Sequence, residues 1–279
     1  MKKAISQWAF PGNTPVKECI RQAKDAGFDG IELAVAEEGE IGLKSQVSDM
    51  KNIKKLANDT GIEISSLASG LGWKYQLSSS DSKIRSKAEE SVEKSLELAS
   101  GLEVDTILVV PATVCVTWQQ SASSTPYEDA YKRALESVVQ LAKVAEKYKV
   151  FIGIENVWNG FLLSPLEMRQ FIDDAGSKYV GAYFDVGNVV INSEPQDWIR
   201  ILGSRIKKVH FKNFKRAIGN INGFCGLLEG DVNWPEVIKA FKEIGYNGWA
   251  VTELGPYKYC PEQVIKDISF HMDRILKGE

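Results

Sequence analysis

The stretch Phe151-Ile152-Gly153-Ile154-Glu155 decides how this chain folds. Four apolar or small residues run straight into a carboxylate. Short apolar runs of this kind, bounded by helical patterns, read as strands buried on both faces of a parallel sheet. The form recurs three times downstream: residues 180–184 before Asp185, 206–209 before His210, and 249–252 before Glu253. Each of four strands therefore carries a metal-binding group at its C-terminal end, and all four are expected on one face of one sheet. Any one of them alone reads as an ordinary strand-end residue bonded to a loop. Their recurrence at the same point of successive units argues against that. Three carboxylates and one imidazole suit a divalent cation of harder character.

Working outward, eight strand-then-helix units can be counted. The predicted strands are residues 4–10, 30–34, 63–67, 106–110, 151–155, 180–185, 206–211 and 249–253. Ala88, Val92, Leu96 and Ala99 form a helical stripe between two of them, and Ala134, Val138, Leu141 and Ala145 form another. Gly27, Gly61 and Gly245 read as helix-ending glycines before short connections. Asn233-Trp234-Pro235-Glu236 reads as an N-cap with proline in the first turn, and Thr14-Pro15 and Ser164-Pro165 take the same form. Eight such units predict an α/β chain, a single-domain (β/α)₈ TIM barrel over residues 1–279. An open doubly wound sheet would usually offer a G-x-G-x-x-G turn, and Phe10-Pro11-Gly12-Asn13-Thr14 is not one. The long loops, 70–82, 112–125 and 213–230, all follow strands, which places the pocket at the barrel's C-terminal face.

Composition is that of an ordinary globular protein: 279 residues, 44% hydrophobic, 25% charged, net charge −3. The pI near 5.7 shows no bias toward nucleic acid. No run is long enough to span a membrane, and the start Met1-Lys2-Lys3 is followed by too short an apolar stretch for a signal peptide, so a cytoplasmic protein is expected. Cys19, Cys115, Cys225 and Cys260 are far apart and read as reduced gap-fillers.

With the strand ends laid out, the chain resembles the sugar isomerase/epimerase superfamily of xylose isomerase-like barrels. The resemblance runs through almost the whole chain. Gly153-Ile154-Glu155-Asn156 resembles the family's strand-5 glutamate motif, and Tyr183-Phe184-Asp185-Val186-Gly187-Asn188 its strand-6 segment. Val209-His210-Phe211-Lys212-Asn213 resembles the strand-7 "H-x-K-D" segment, and Gly30-Ile31-Glu32-Leu33 the strand-2 signature. Glu229-Gly230-Asp231-Val232-Asn233-Trp234 is similar to a glycine-rich turn that follows. The nearest groups are the ketose 3-epimerases and the pentulose-phosphate 3-epimerases. The resemblance implies one divalent ion per subunit, manganese first and zinc, cobalt or magnesium otherwise, held by Glu155, Asp185, His210 and Glu253. It also implies that Glu155 and Glu253 act as the acid–base pair, and that Arg216 orients substrate oxygens. A homo-oligomer, dimer or tetramer, is implied as well. Where several members have a histidine three residues after the strand-6 aspartate, this chain has Asn188, which can donate a hydrogen bond but cannot titrate near neutrality.

The chemistry implied is epimerisation at C3 of a ketose or ketose phosphate. That reaction needs a base, stabilisation of an enediolate, and an acid on the opposite face. Asn188, Arg216, Lys212, Glu32 and Trp158 are candidate substrate-binding residues. Glu32 reads equally as a barrel-interior carboxylate paired to a basic group. Trp8, Trp73, Trp118 and Trp158 lie at or beyond strand ends, where core packing is the default and a sugar-stacking wall the alternative. His271 reads as structural. Lys74, Ser78–Ser80, Lys212 and Lys215 are the candidate phosphate binders. A sugar or inosose dehydratase and an aldose–ketose isomerase would use the same metal site. A trinuclear zinc endonuclease is disfavoured, because the chain has only two histidines. A non-catalytic sugar binder is expected to have lost a ligand, and all four are present.

Overall fold

Each apolar run read as a strand pairs with the next one in the chain, and the first pairs with the last. The computed structural model describes residues 1–116 and 125–278, so Trp118 lies outside the described residues. The strands are β1 (Lys2–Ser6), β2 (Gly30–Val35), β3 (Glu63–Ser69), β4 (Thr106–Val109), β5 (Phe151–Glu155), β6 (Val180–Asp185), β7 (Ile206–Phe211) and β8 (Trp249–Thr252). They are all parallel and close into a barrel in sequence order. Eight helices separate them: α1 (Val16–Asp25), α2 (Val47–Thr60), α3 (Ser82–Leu102), α4 (Tyr127–Tyr148), α5 (Pro165–Asp174), α6 (Pro195–Leu202), α7 (Trp234–Glu243) and α8 (Gln263–Lys277). The (β/α)₈ barrel read from the sequence is therefore the fold.

Period-two alternation divides the apolar residues into two layers. The larger cluster, with Ile5, Ile31, Leu33, Ile152, Phe184, Val209 and Phe211 on the strands, packs against the apolar faces of the helices. The smaller one, Ala68, Leu108, Val110 and Tyr183 with Trp8 and Val157 against it, fills the barrel interior. Glu32, Ser66 and His210 share that interior and are fully buried. A polar layer can sit there only because its members bond one another.

Most predicted boundaries match within two residues. The first strand ends earlier than expected, at Ser6, because residues 7–9 turn into a 3₁₀ segment on which the Ser6 side chain accepts from the Trp8 N–H. Asn233 and Ser164 cap α7 and α5 as read. Thr14-Pro15 does not follow suit: Pro15 itself is the N-cap residue, and the Val16 N–H donates to Glu40 instead, at 2.9 Å. Gly27, Gly61 and Gly245 all take left-handed backbone at helix ends. The loop after β7 holds a short antiparallel ladder, Asn213–Phe214 with Phe224–Cys225, that the sequence did not signal.

Two glycines set the site. At Gly153 a β-carbon would stand 3.0 Å from the Tyr183 side chain, so the missing side chain leaves the interior to Tyr183. At Gly187 a β-carbon would stand 2.5 Å from Lys212 Cβ and 2.8 Å from its carbonyl carbon. The loops after β6 and β7 touch there, which carries Lys212 to Asp185.

Candidate metal centre

Register brings the strand-end residues together. Asp185 lies opposite His210 in the β6–β7 ladder, and Glu155 lies opposite Tyr183 in the β5–β6 ladder. The stagger of a closed barrel places such residues around one mouth. One donor atom from each of Glu155, Asp185, His210 and Glu253 lies within 4.8 Å of the others. His210 Nδ1 is 3.0 Å from Glu155 Oε1, 3.0 Å from Glu253 Oε2 and 3.9 Å from Asp185 Oδ2.

The other ring nitrogen of His210 points down into the barrel. Its Nε2 is 3.0 Å from Glu32 Oε1. The Tyr183 hydroxyl donates to Glu32 Oε2, as does Ser66 Oγ at 2.9 Å. With carboxylate acceptors only on that side, Nε2 carries a proton, and Nδ1 is the nitrogen offered to the cluster. Asp185 is fixed by its neighbours. Its N–H donates to Asn156 Oδ1 at 2.9 Å, while Asn156 Nδ2 donates to the Asp185 carbonyl at 2.8 Å. The Asn188 N–H donates to Asp185 Oδ1 at 2.8 Å, and Asn188 Nδ2 to the Asn156 carbonyl at 2.9 Å.

The cluster fits a divalent ion. Asp185 Oδ2 and Glu253 Oε2 are buried and accept no aligned hydrogen bond. The Lys212 ammonium stands 3.2 Å and 2.6 Å from them without that alignment. Buried carboxylate oxygens left so are costly, and a cation between them would satisfy both. Charge is separated accordingly. Burial pushes the Glu155 carboxyl up to about 7; the hydrogen bond to His210 opposes this and the charge of Glu253 adds to it. Burial opposes ionisation of Glu253 too, but Lys212 and His210 outweigh it and hold that carboxyl down at about 2. Burial would lower His210, yet Glu32 and Glu253 hold it well above the ordinary histidine range.

A cavity of about 270 Å³ opens above this cluster. Glu155, Glu253 and Lys212 line its floor; Asn188 and Trp158 line one side. Trp8 and Trp73 line it as well, so these tryptophans are wall rather than core. Trp158 is held in place by its N–H, which donates to the Asn188 carbonyl at 2.8 Å, and by the rings of Phe214 and Phe224.

Two expectations need correcting. Glu32 is fully buried beneath His210 and does not reach the cavity, so it is the barrel-interior carboxylate and not a substrate contact. Arg216 does not line the cavity either. Its guanidinium donates to the Val190 carbonyl at 2.7 Å and to Glu194 at 2.9 Å, pinning the loop after β6. His271 lies on α8 beside Phe270, away from the site. Sequence reading missed Tyr183, Ser66 and the paired role of Asn156. The available signal was the position of Tyr183 two residues before Asp185, on the same face of β6.

A family model described as xylose isomerase-like TIM barrel matches residues 20–272. The putative L-ribulose-5-phosphate 3-epimerase SgbU of Escherichia coli is 24% identical over 243 residues, 83% of this chain and 81% of that protein. A D-psicose 3-epimerase of Agrobacterium fabrum is 25% identical over 264 residues, 91% of this chain and 84% of that protein. The crystal structure of a D-psicose 3-epimerase in the presence of D-fructose shares the fold, with a TM-score of 0.79, 20% identity and 100% of each chain covered.

Proposed function

We propose that this chain, which belongs to the xylose isomerase-like TIM-barrel family, is a divalent-metal-dependent ketose 3-epimerase. Relatives named as 3-epimerases cover most of its length, which supports the reading. One observation carries it. Of the four converging donors, Glu155 and Glu253 also line the cavity, whereas Asp185 and His210 do not. Two carboxylates thus belong both to the ion's site and to the substrate's wall. A reaction that removes a proton from one face of a carbon and returns one to the other needs that pair.

Glu155, Asp185, His210 and Glu253 would hold the ion; the donor set suits a divalent cation of harder character, and the family resemblance points to manganese first. When bound, a divalent ion supplies Lewis-acid stabilisation of the charge developing on the ketone oxygen. Glu155 and Glu253 exchange the roles of base and acid with the direction of reaction. Asn188 and Lys212 orient substrate hydroxyls, and Trp158 packs against C–H groups. Asp185 serves as a ligand only.

The test is NMR in D₂O with manganese-loaded protein and a panel of ketopentoses, ketohexoses and their phosphates. Deuterium at C3 together with the C3 epimer is the expected result. Glu155→Gln and Glu253→Gln should each cost about 10²–10⁴-fold in exchange rate. Exchange at C1 with aldose product would make the protein an isomerase. Loss of water without exchange would make it a dehydratase.

A further inference from the structure

We infer that the substrate is an uncharged ketose and not a ketose phosphate, an inference that rests on the epimerase reading above. Among the described residues, the one cation on the cavity wall is Lys212, already 2.6 Å from Glu253 and 3.2 Å from Asp185. In the reading above Glu155 and Glu253 are taken up by the ion, so a phosphate at the far end of the substrate would lose its water and gain no further cation from the described wall.

The other cations read as phosphate binders are committed elsewhere. Lys74 is paired with Glu37. Lys215 is 3.7 Å from Glu229. Arg216 is 2.9 Å from Glu194 and bonds the Val190 carbonyl. None of the three lines the cavity. The serine segment does not reach the cavity either: Ser78 is fully buried, Ser79 Oγ accepts the Asp81 N–H, and none of Ser78–Ser80 lines the wall.

Helix starts offer no substitute. In barrels of this kind phosphate commonly sits at a helix N-terminus beside the last loops. Here α5, α6 and α7 carry Glu167, Asp197 and Glu236 in their first turns. Glu167 itself accepts the Leu163 N–H at 2.9 Å. The first turn of α8 carries no carboxylate, but neither its start nor that of α7 lines the cavity.

What remains of the wall suits a neutral polyol. Trp8, Trp73, Trp158 and Phe224 present ring surface, on which the C–H faces of a sugar pack without any charge requirement. The far end of the substrate is therefore recognised by shape, and a terminal hydroxyl is tolerated where a terminal phosphate is not.

The experiment presents each free ketose and its own terminal phosphate ester to the manganese-loaded protein in D₂O. D-fructose with its 6-phosphate and L-ribulose with its 5-phosphate are included, and C3 exchange is followed by NMR. We expect exchange with at least one free ketose, and kcat/KM for its ester lower by a factor of about 100 or more. An ester processed at more than one-hundredth of its parent's kcat/KM overturns the inference and leaves the epimerase reading intact. Absence of C3 exchange with both classes removes the epimerase reading, and this inference falls with it.

Discussion

Glu32→Gln is the substitution whose consequence follows most directly from the geometry. The side chain keeps its size but loses its charge, in a site with no exposure to solvent. Glu32 Oε1 stands 3.0 Å from His210 Nε2, and its other oxygen accepts from Tyr183 and Ser66. An amide can turn its N–H₂ toward Nε2, which drives the imidazole proton to Nδ1, the nitrogen offered to the metal. Tyr183 and Ser66 then face a carbonyl instead of a carboxylate, so their bonds weaken but persist. Loss of such an outer partner of a metal-bound histidine costs about 10–100-fold in affinity, or about 1.4–2.8 kcal/mol. Isothermal titration of the metal-free protein with manganese measures this directly. Tyr183→Phe is the control, since it removes one donor to Glu32 while leaving the carboxylate in place, and should cost about 1 kcal/mol. Manganese affinity in Glu32→Gln within twofold of the unchanged protein would refute the tautomer argument, as would a larger loss in Tyr183→Phe.

Two further outcomes follow from the same cluster and its neighbours. In the metal-free protein His210 is held well above its ordinary range, so its proton must leave when Nδ1 binds an ion. Binding should release protons and weaken as pH falls. Calorimetry in buffers of different ionisation enthalpy reads the proton count, and zero release would contradict the role given to His210. Gly187→Ala should destabilise by about 1–3 kcal/mol in urea unfolding, because the new methyl group would stand 2.8 Å from the Lys212 carbonyl carbon. Stability within 0.5 kcal/mol of the unchanged protein, about the ordinary effect of a surface substitution, would mean the two loops are not packed as described.

Sequence alone determined the alternation of strands and helices, the barrel, and the four converging donors Glu155, Asp185, His210 and Glu253. It could do so because these features are local and repeat. Each apolar run and its terminal polar residue is read within a few positions, and the parallel barrel then forces every strand end to one face. Tertiary structure decided the rest. Glu32 and His210 are 178 positions apart, and only closure of the barrel shows that one supports the other instead of touching substrate. Arg216 looked like a substrate clamp from its place after β7, yet Glu194 and the Val190 carbonyl, on a different loop, claim its guanidinium. Trp8 and Trp73 could have been core or wall, a choice made by the curvature of loops that no periodicity encodes. Pairing between residues distant in the chain depends on register and closure, and those are properties of the assembled barrel rather than of any segment.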